Sequence, residues 1–256
     1  MQNNIPKVSI ITAVYNNELF IDNCIQSVIS QDYQNIEHII IDGGSQDSTL
    51  DIIKKYRSKI SHIISETDDG IYDAFNKGMK LATGKYIGFL NSDDYFSSKK
   101  SITNIVSGFY DESIDVVFSN LKIVDRKNNK LLRFQNSKFF NIFKLRIGIA
   151  PPHPTFYCKS KIYKDVGFFS TDYIVSADYE MMVRILYNYK AKYSHLDYTT
   201  VIMRSGGISN NNIYGQINQN LEILRAARLN NFYTNFFLLS LKLPYRLIEL
   251  IRGKFG

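Results

Sequence analysis

Apolar positions in the first part of the chain alternate between two periods. Val8 to Val14 is a short β-branched run, and Ile21, Ile25, Val28 and Ile29 then recur at helical spacing within Leu19 to Ile29, which predicts a strand followed by a helix. The unit repeats: Ile36 to Ile41 reads as a strand, and after Asp42-Gly43-Gly44-Ser45 a helix capped near Gln46 to Ser48 carries Ile52, Ile53 and Tyr56. A third strand, Ile60 to Ser65, leads through Glu66-Thr67-Asp68-Asp69-Gly70 into a helix from Ile71 to Ala82. Gly84 stops that helix before a strand at Tyr86 to Leu90. Strands joined by helical crossovers predict an α/β fold with a mainly parallel central sheet and helices on both faces.

Beyond Asp94 the pattern loosens. A helix is expected near Ser101 to Tyr110, a strand at Asp115 to Ser119, and a hairpin turning at Arg126-Lys127-Asn128-Asn129. Phe139 to Leu145 reads as an amphipathic segment. Pro151-Pro152-His153-Pro154 forces an extended loop, because prolines and the residues before them resist helix. A helix is expected from Ala177 to Tyr189. Ser205-Gly206-Gly207-Ile208-Ser209 is either a plain loop or a glycine-hinged flap, and Tyr214 to Leu229 and Phe236 to Ile251 close the chain as two helices.

The chain's 256 residues fit one large domain, or a domain with a small appendage. Lys and Arg number 31 against 24 Asp and Glu, and the resulting formal charge of +7 favours anionic partners without choosing among nucleic acid, nucleotide diphosphates and acidic membranes. Basic and aromatic residues do not interleave on a recognisable platform, so no nucleic-acid partner is expected. Cys24 and Cys158 show no paired-cysteine spacing, which argues against a disulfide framework or zinc knuckle and for a reducing, cytoplasmic setting. The first residues lack the basic-then-apolar order of an export signal. Lys242, Pro244, Arg246 and Glu249 interrupt the most apolar C-terminal stretch, so no membrane span is expected. Phe236, Phe237, Leu238, Leu239 and Leu243 mingle with Lys242, Arg246, Arg252 and Lys254, which suits either a helix on an anionic membrane face or one packed on the domain.

Candidate chemistry gathers at the predicted carboxyl ends of the strands, where open α/β sheets place their ligands. Asn91-Ser92-Asp93-Asp94 follows the strand at Tyr86 to Leu90. In isolation it reads as a turn, but its adjacent carboxylates also make a hard-oxygen site for Mg²⁺ or Mn²⁺ on a diphosphate. Asp42 ends an earlier strand, as a ligand for a base or ribose or as a turn former. Gly43-Gly44 matches neither dinucleotide nor Walker glycine spacing. Asp73, Asn76 and Lys77 share one helix face. Asp178 opens a predicted helix, as a general base or merely part of an acidic first turn.

Four segments, in order and spacing, resemble glycosyltransferase family 2, which has the GT-A fold: Ser9 to Asn16, Asp42 to Thr49, Asp69 to Gly78 and Ala82 to Asp94. The likeness covers about the first 95 residues. It continues more loosely through Pro152-His153-Pro154-Thr155 and Ala177-Asp178-Tyr179-Glu180. It implies a nucleotide-sugar-binding region at 1–95, an acceptor-binding region with the base at 96–212, and C-terminal helices at 213–256. For a UDP-sugar it implies contacts from Thr12, Tyr15, Asn16, Asp42, Ser45, Asp69, Asn76, Lys77, Asn91 and Ser92, with Tyr15 stacking on the base. Asp93 is the implied principal ligand of Mn²⁺ or Mg²⁺ and Asp94 a further one. Asp178 is the implied catalytic base, with Glu180 as a fallback. Two positions depart from the family pattern: Asn91 stands for the first Asp of its metal motif, and Ala177 for the Glu before its base. His153 reads as a structural residue or a metal or phosphate contact.

The expected activity is inverting, metal-dependent transfer of one hexose or N-acetylhexosamine. The expected acceptor is a glycan on undecaprenyl diphosphate, in synthesis of a bacterial surface polysaccharide of O-antigen or capsule type, at the inner face of the cell membrane. A catalytically inactive nucleotide-sugar-binding regulator and a basic nucleic-acid-binding protein are the alternatives.

Overall fold

The computed structural model describes residues 5–206 and 213–245. Its first half follows the alternation read above: β1 (Val8–Val14), α1 (Ile21–Ile29), β2 (Ile36–Asp42), α2 (Thr49–Lys55), β3 (His62–Ser65), α3 (Ile71–Leu81) and β4 (Tyr86–Phe89). The second half contains β5 (Tyr95–Phe96), α4 (Ser101–Ser107), β6 (Val116–Val124), β7 (Leu131–Gln135), β8 (Tyr157–Lys159), α5 (Ser160–Val166), α6 (Ala177–Val183), β9 (Tyr193–Arg204), α7 (Ile213–Leu229) and α8 (Phe236–Ser240).

One sheet runs in the order β3-β2-β1-β4-β8-β6-β9-β5, with β7 added on β6. The pairs β3–β2, β2–β1 and β1–β4 are parallel, as the helical crossovers require. Past β4 the sheet is mixed: β8 is antiparallel to both β4 and β6, β9 is parallel to β6, and β5 and β7 are antiparallel additions. Alternation along β1 sends Ile11 and Ala13 to one face, packed on Tyr72, Phe75 and Met79 of α3 and on α6 and α7. Val8 and Ile10 go to the other, packed on Cys24 and Val28 of α1 and Ile102 and Ile105 of α4.

Two glycines set how closely these layers approach. A Cβ on Gly78 would lie 2.4 Å from Ile11 Cγ2, so α3 can sit tightly against β1. A Cβ on Gly88 would lie 2.2 Å from Tyr157 Cε1, so the Tyr157 ring of β8 lies against the bare backbone of β4.

Several expected elements take a different form. The prolines near 151 lead into a 3-10 turn at His153–Thr155, where Thr155 Oγ1 donates to the carbonyls of Ser119 and Pro152. The helix from Ala177 changes to π spacing over Arg184–Asn188. Phe139 to Leu145 becomes a 3-10 segment at Ile142–Ile147. The expected flap at Ser205–Ser209 lies mostly, and the end of the expected helix at Phe236–Ile251 partly, outside the described residues. Among the described residues no helix is long and apolar enough to cross a membrane.

Candidate active site

Parallel pairing brings Val14 beside Asp42, so the loops after β1 and β2 leave the sheet together. Asp42 is fully buried and satisfied from within: it accepts from the Ser45 hydroxyl (2.5 Å), the Ser45 N–H and, on its other oxygen, the Ser65 hydroxyl (2.6 Å). Its carboxylate therefore ties the Gly43–Ser45 turn to the end of β3. Asn16, held at φ 45°, stitches the two loops by donating its N–H to Ser45 Oγ (2.9 Å) and accepting from Gln46 N–H (2.7 Å). Tyr15 is 63% exposed beside Gly43, leaving an aromatic face for a planar ligand.

Thr12 departs from the expected contact set. It lies buried beneath these loops with Oγ1 3.1 Å from His38 Nε2, because strand alternation points it into the sheet's packed face. Burial pushes the pKa of His38 down to about 3, so the imidazole is neutral in the native state. An unfolded histidine binds its proton near pH 6.5. The stabilisation is therefore complete above that pH and is lost as pH falls toward the native value. Urea unfolding at pH 7 and pH 5 should show about 2 kcal/mol of acid destabilisation that His38→Gln removes. An unchanged pH slope in the variant would assign the effect to other groups.

The start of α3 carries an acidic cluster gathered by one lysine. Lys77 Nζ reaches Asp68 (2.5 Å), Glu66 (2.9 Å), Asp73 (3.3 Å) and the Thr67 carbonyl (3.0 Å). Burial opposes its charge, but these partners outweigh burial and hold the ammonium above its usual range. Lys77 thus organises the 66–73 loop, with its donors engaged there and not turned to a phosphate. Asp69 is exposed, and its N–H donates to Asp73. Asn76 is likewise committed: its amide donates to the Phe169 carbonyl and accepts the Phe169 N–H, both at 2.9 Å, which clasps α3 to the segment before α6.

At the end of β4, Asn91 to Asp94 forms a turn closed by the Asp94 N–H to Asn91 O bond (3.0 Å). Ser92 Oγ accepts from the Asn17 amide (2.8 Å), and the Asn91 amide donates to Asp94 (3.0 Å) and not outward. Asp94 is fully buried and also accepts the Arg204 N–H (3.2 Å), so it braces the turn from inside. Asp93 is the carboxylate that looks out, its side chain 20% exposed and 3.6 Å from Arg126. Arg204 donates to the Asp93 carbonyl (2.6 Å) and to Asn23 (3.0 Å). Both guanidinium groups lie over the Phe20 ring, at 4.4 and 4.7 Å.

Burial raises the Asp93 carboxyl, with Arg126 and Arg204 working against it. Burial and then the Asp93 charge lift Asp94 well above the ordinary carboxylate range. Among the described residues no three His, Cys, Asp or Glu side chains cluster as a metal site. A hard cation bound together with an anionic ligand would be held by the outward Asp93 carboxylate.

Asp178 sits half-buried in the first turn of α6, accepting from the Tyr179 N–H (2.7 Å), with the Tyr72 hydroxyl 3.5 Å away. His153 stacks on Phe89 at 5.0 Å, with Phe75 and Phe169 also around it, and its buried Nε2 has no partner among the described residues. Burial lowers the His153 pKa and the Asp178 charge opposes that shift. Burial thus favours a neutral ring at His153, packed on Phe89 of β4 and near enough to Asp178 to feel its charge. Glu180 faces the other way: it is buried, receives Arg184 Nε at 2.9 and 3.0 Å and the Asn230 amide at 3.0 Å, and is no fallback base.

Phe20, Arg126 and Arg204 were not marked by any local pattern. Arg204 meets Asp94 across 110 positions, and only the sheet brings them together.

Residues 9–175 match Glycosyl transferase family 2. A PGL/p-HBAD biosynthesis glycosyltransferase of Mycobacterium bovis is 27% identical over 80% of each chain. An uncharacterized glycosyltransferase of Rickettsia typhi is 30% identical over 71% of this chain, which spans only 59% of that protein's length. Among solved structures, Staphylococcus aureus TarS 1–349 in complex with UDP is similar with a TM-score of 0.70 at 22% identity, covering 88% of this chain and 65% of that one. Mannosyltransferase PcManGT from Pyrobaculum calidifontis, in complex with GDP-Man and Mn²⁺, is similar with a TM-score of 0.64 at 16% identity, covering 98% of this chain and 74% of that one. At these identities the two structures speak to the fold alone, which is of the GT-A kind. With its match running from β1 to the approach to α6, the chain belongs to glycosyl transferase family 2.

Proposed function

We infer that this chain moves one hexose or N-acetylhexosamine from a UDP-sugar, with inversion, to a glycan acceptor carried on a lipid diphosphate such as undecaprenyl diphosphate. What supports this reading is the outward carboxylate Asp93 at the end of β4, 3.6 Å from Arg126, together with the half-buried carboxylate Asp178, whose charge reaches the His153 ring stacked on Phe89 of β4. In this reading Tyr15 stacks on the uracil, and the stitched loops of Asn16, Asp42 and Ser45 shape the nucleoside pocket. Asp93 would hold Mn²⁺ or Mg²⁺, and the bound ion would supply Lewis acidity to the departing diphosphate. Asp178 takes the proton from the acceptor hydroxyl as that oxygen bonds to the anomeric carbon and the bond to UDP breaks. In this reading Arg126, 3.6 Å from Asp93, offsets charge that gathers on the leaving diphosphate, and Arg204 braces the turn that carries Asp93.

Membrane contact is supported by the C-terminal region. Leu239 is buried and anchors α8, whereas Phe237 is 73% exposed, as are Phe143 and Leu243 to similar degrees. Lys144 and Arg146 flank Phe143 on the 3-10 segment against which α8 packs. Exposed aromatic and apolar side chains near basic ones suit an anionic interface.

The test is UDP release from UDP-hexoses and UDP-N-acetylhexosamines, with a lipid diphosphate sugar and a short soluble sugar as acceptors, with and without EDTA. Release is expected with the divalent ion and faster on the lipid acceptor. Full activity in EDTA would remove the metal, and equal rates on both acceptors without liposome binding would remove the lipid.

A further inference from the structure

α7 reaches back over the segment that leads into α6. The Glu222 carboxylate accepts the backbone N–H groups of three consecutive residues, Ile174 (2.7 Å), Val175 (3.0 Å) and Ser176 (2.8 Å). Three positions along the helix, Arg225 donates to the carbonyl (3.1 Å) and carboxylate (3.0 Å) of Asp172 and lies 5.2 Å over the Tyr173 ring. One helix therefore grips residues 172–176, which end immediately before Ala177 and Asp178.

The grip matters because the usual local device is missing. Ser176 occupies the cap position of α6, yet its buried hydroxyl caps nothing and has no partner among the described residues. The orientation of that first turn is fixed instead from outside. Glu222 collects the N–H groups on one side, and on the other the Val175 carbonyl accepts from the Tyr72 hydroxyl at 2.6 Å, the same hydroxyl that stands 3.5 Å from Asp178 Oδ1. Hydrogen bonds to an ionised acceptor are shorter and stronger than neutral ones, so a carboxylate receiving three of them stiffens the backbone more than a serine cap would.

We propose that Glu222 is a positioning residue for sugar transfer, holding the backbone that aims the Asp178 carboxylate at the acceptor hydroxyl. This rests on the reading of Asp178 as the base. Glutamine at 222 keeps the length but turns an NH₂ toward N–H donors, so the three bonds cannot all persist. A misplacement of about 1 Å at a reacting group can cost about 10²-fold.

Glu222→Gln is expected to lower kcat between about 10- and 10²-fold, with UDP affinity by titration calorimetry and the donor KM within about two-fold of wild type. In an Asp178→Asn background the same substitution is expected to have almost no further effect, since both act through one group. A variant whose melting temperature falls while kcat per folded molecule is unchanged would make Glu222 purely structural and overturn the proposal. The same loss in both backgrounds would also overturn it, because Glu222 would then act elsewhere. If Asp178→Asn alone stays within a few-fold of wild type, the base assignment itself fails, a result distinct from failure of the Glu222 step.

Discussion

Asp178→Asn is expected to lower turnover by about 10²–10⁴-fold, the range that a positioned general base contributes. Asparagine preserves shape and can still accept the Tyr179 N–H, so α6 should form as before. What it cannot do is take a proton from an attacking hydroxyl. The loss should therefore fall on kcat while UDP binds as in the wild type, since the proposed base acts on the acceptor and not on the donor nucleotide. Turnover within a few-fold of wild type would leave Asp178 as part of an acidic first turn, and Glu180 could not replace it because Arg184 and Asn230 hold that carboxylate in the core.

The second large effect belongs to Asp93. Asp93→Ala removes the one outward carboxylate of the Asn91–Asp94 turn and should lower turnover by at least about 10²-fold, a loss that added Mn²⁺ does not restore. Folding should survive, because Asp94, Asn91, Ser92 and Arg204 brace the turn without that side chain. A second readout is thermal: adding Mn²⁺ to UDP should raise the melting temperature of the wild type beyond UDP alone and add nothing to the variant. A variant that gains the same thermal shift would show that the ion binds elsewhere.

The parallel half of the fold was legible because its elements carry their own signals: β1, β2 and β4 are short segments rich in β-branched and aromatic residues, and α1 and α3 are amphipathic. The mixed half was not. β8 has three residues and no room for a period, and β9 lacks clean alternation, its pairing with β6 slipping between Ser119 and Leu121. The site divides in the same way. Asp42, Asp93 and Asp178 could be found from motifs, but which way a polar side chain turns depends on its neighbours in space. Thr12 turns to His38 and Asn76 to Phe169, and neither choice is written locally, whereas the carboxylates that hold Lys77 lie within the same short stretch of chain.

Phe20 has an evolutionary consequence. One ring serves as the platform for Arg126, which faces Asp93, and for Arg204, which braces both Asp93 and Asp94. Its loss would disturb two cations at once, so a change at 20 reaches both Arg126 and Arg204. Positions 20, 93, 126 and 204 are thereby expected to form one unit of inheritance, exchanged together among descendants of this chain although they lie far apart along it.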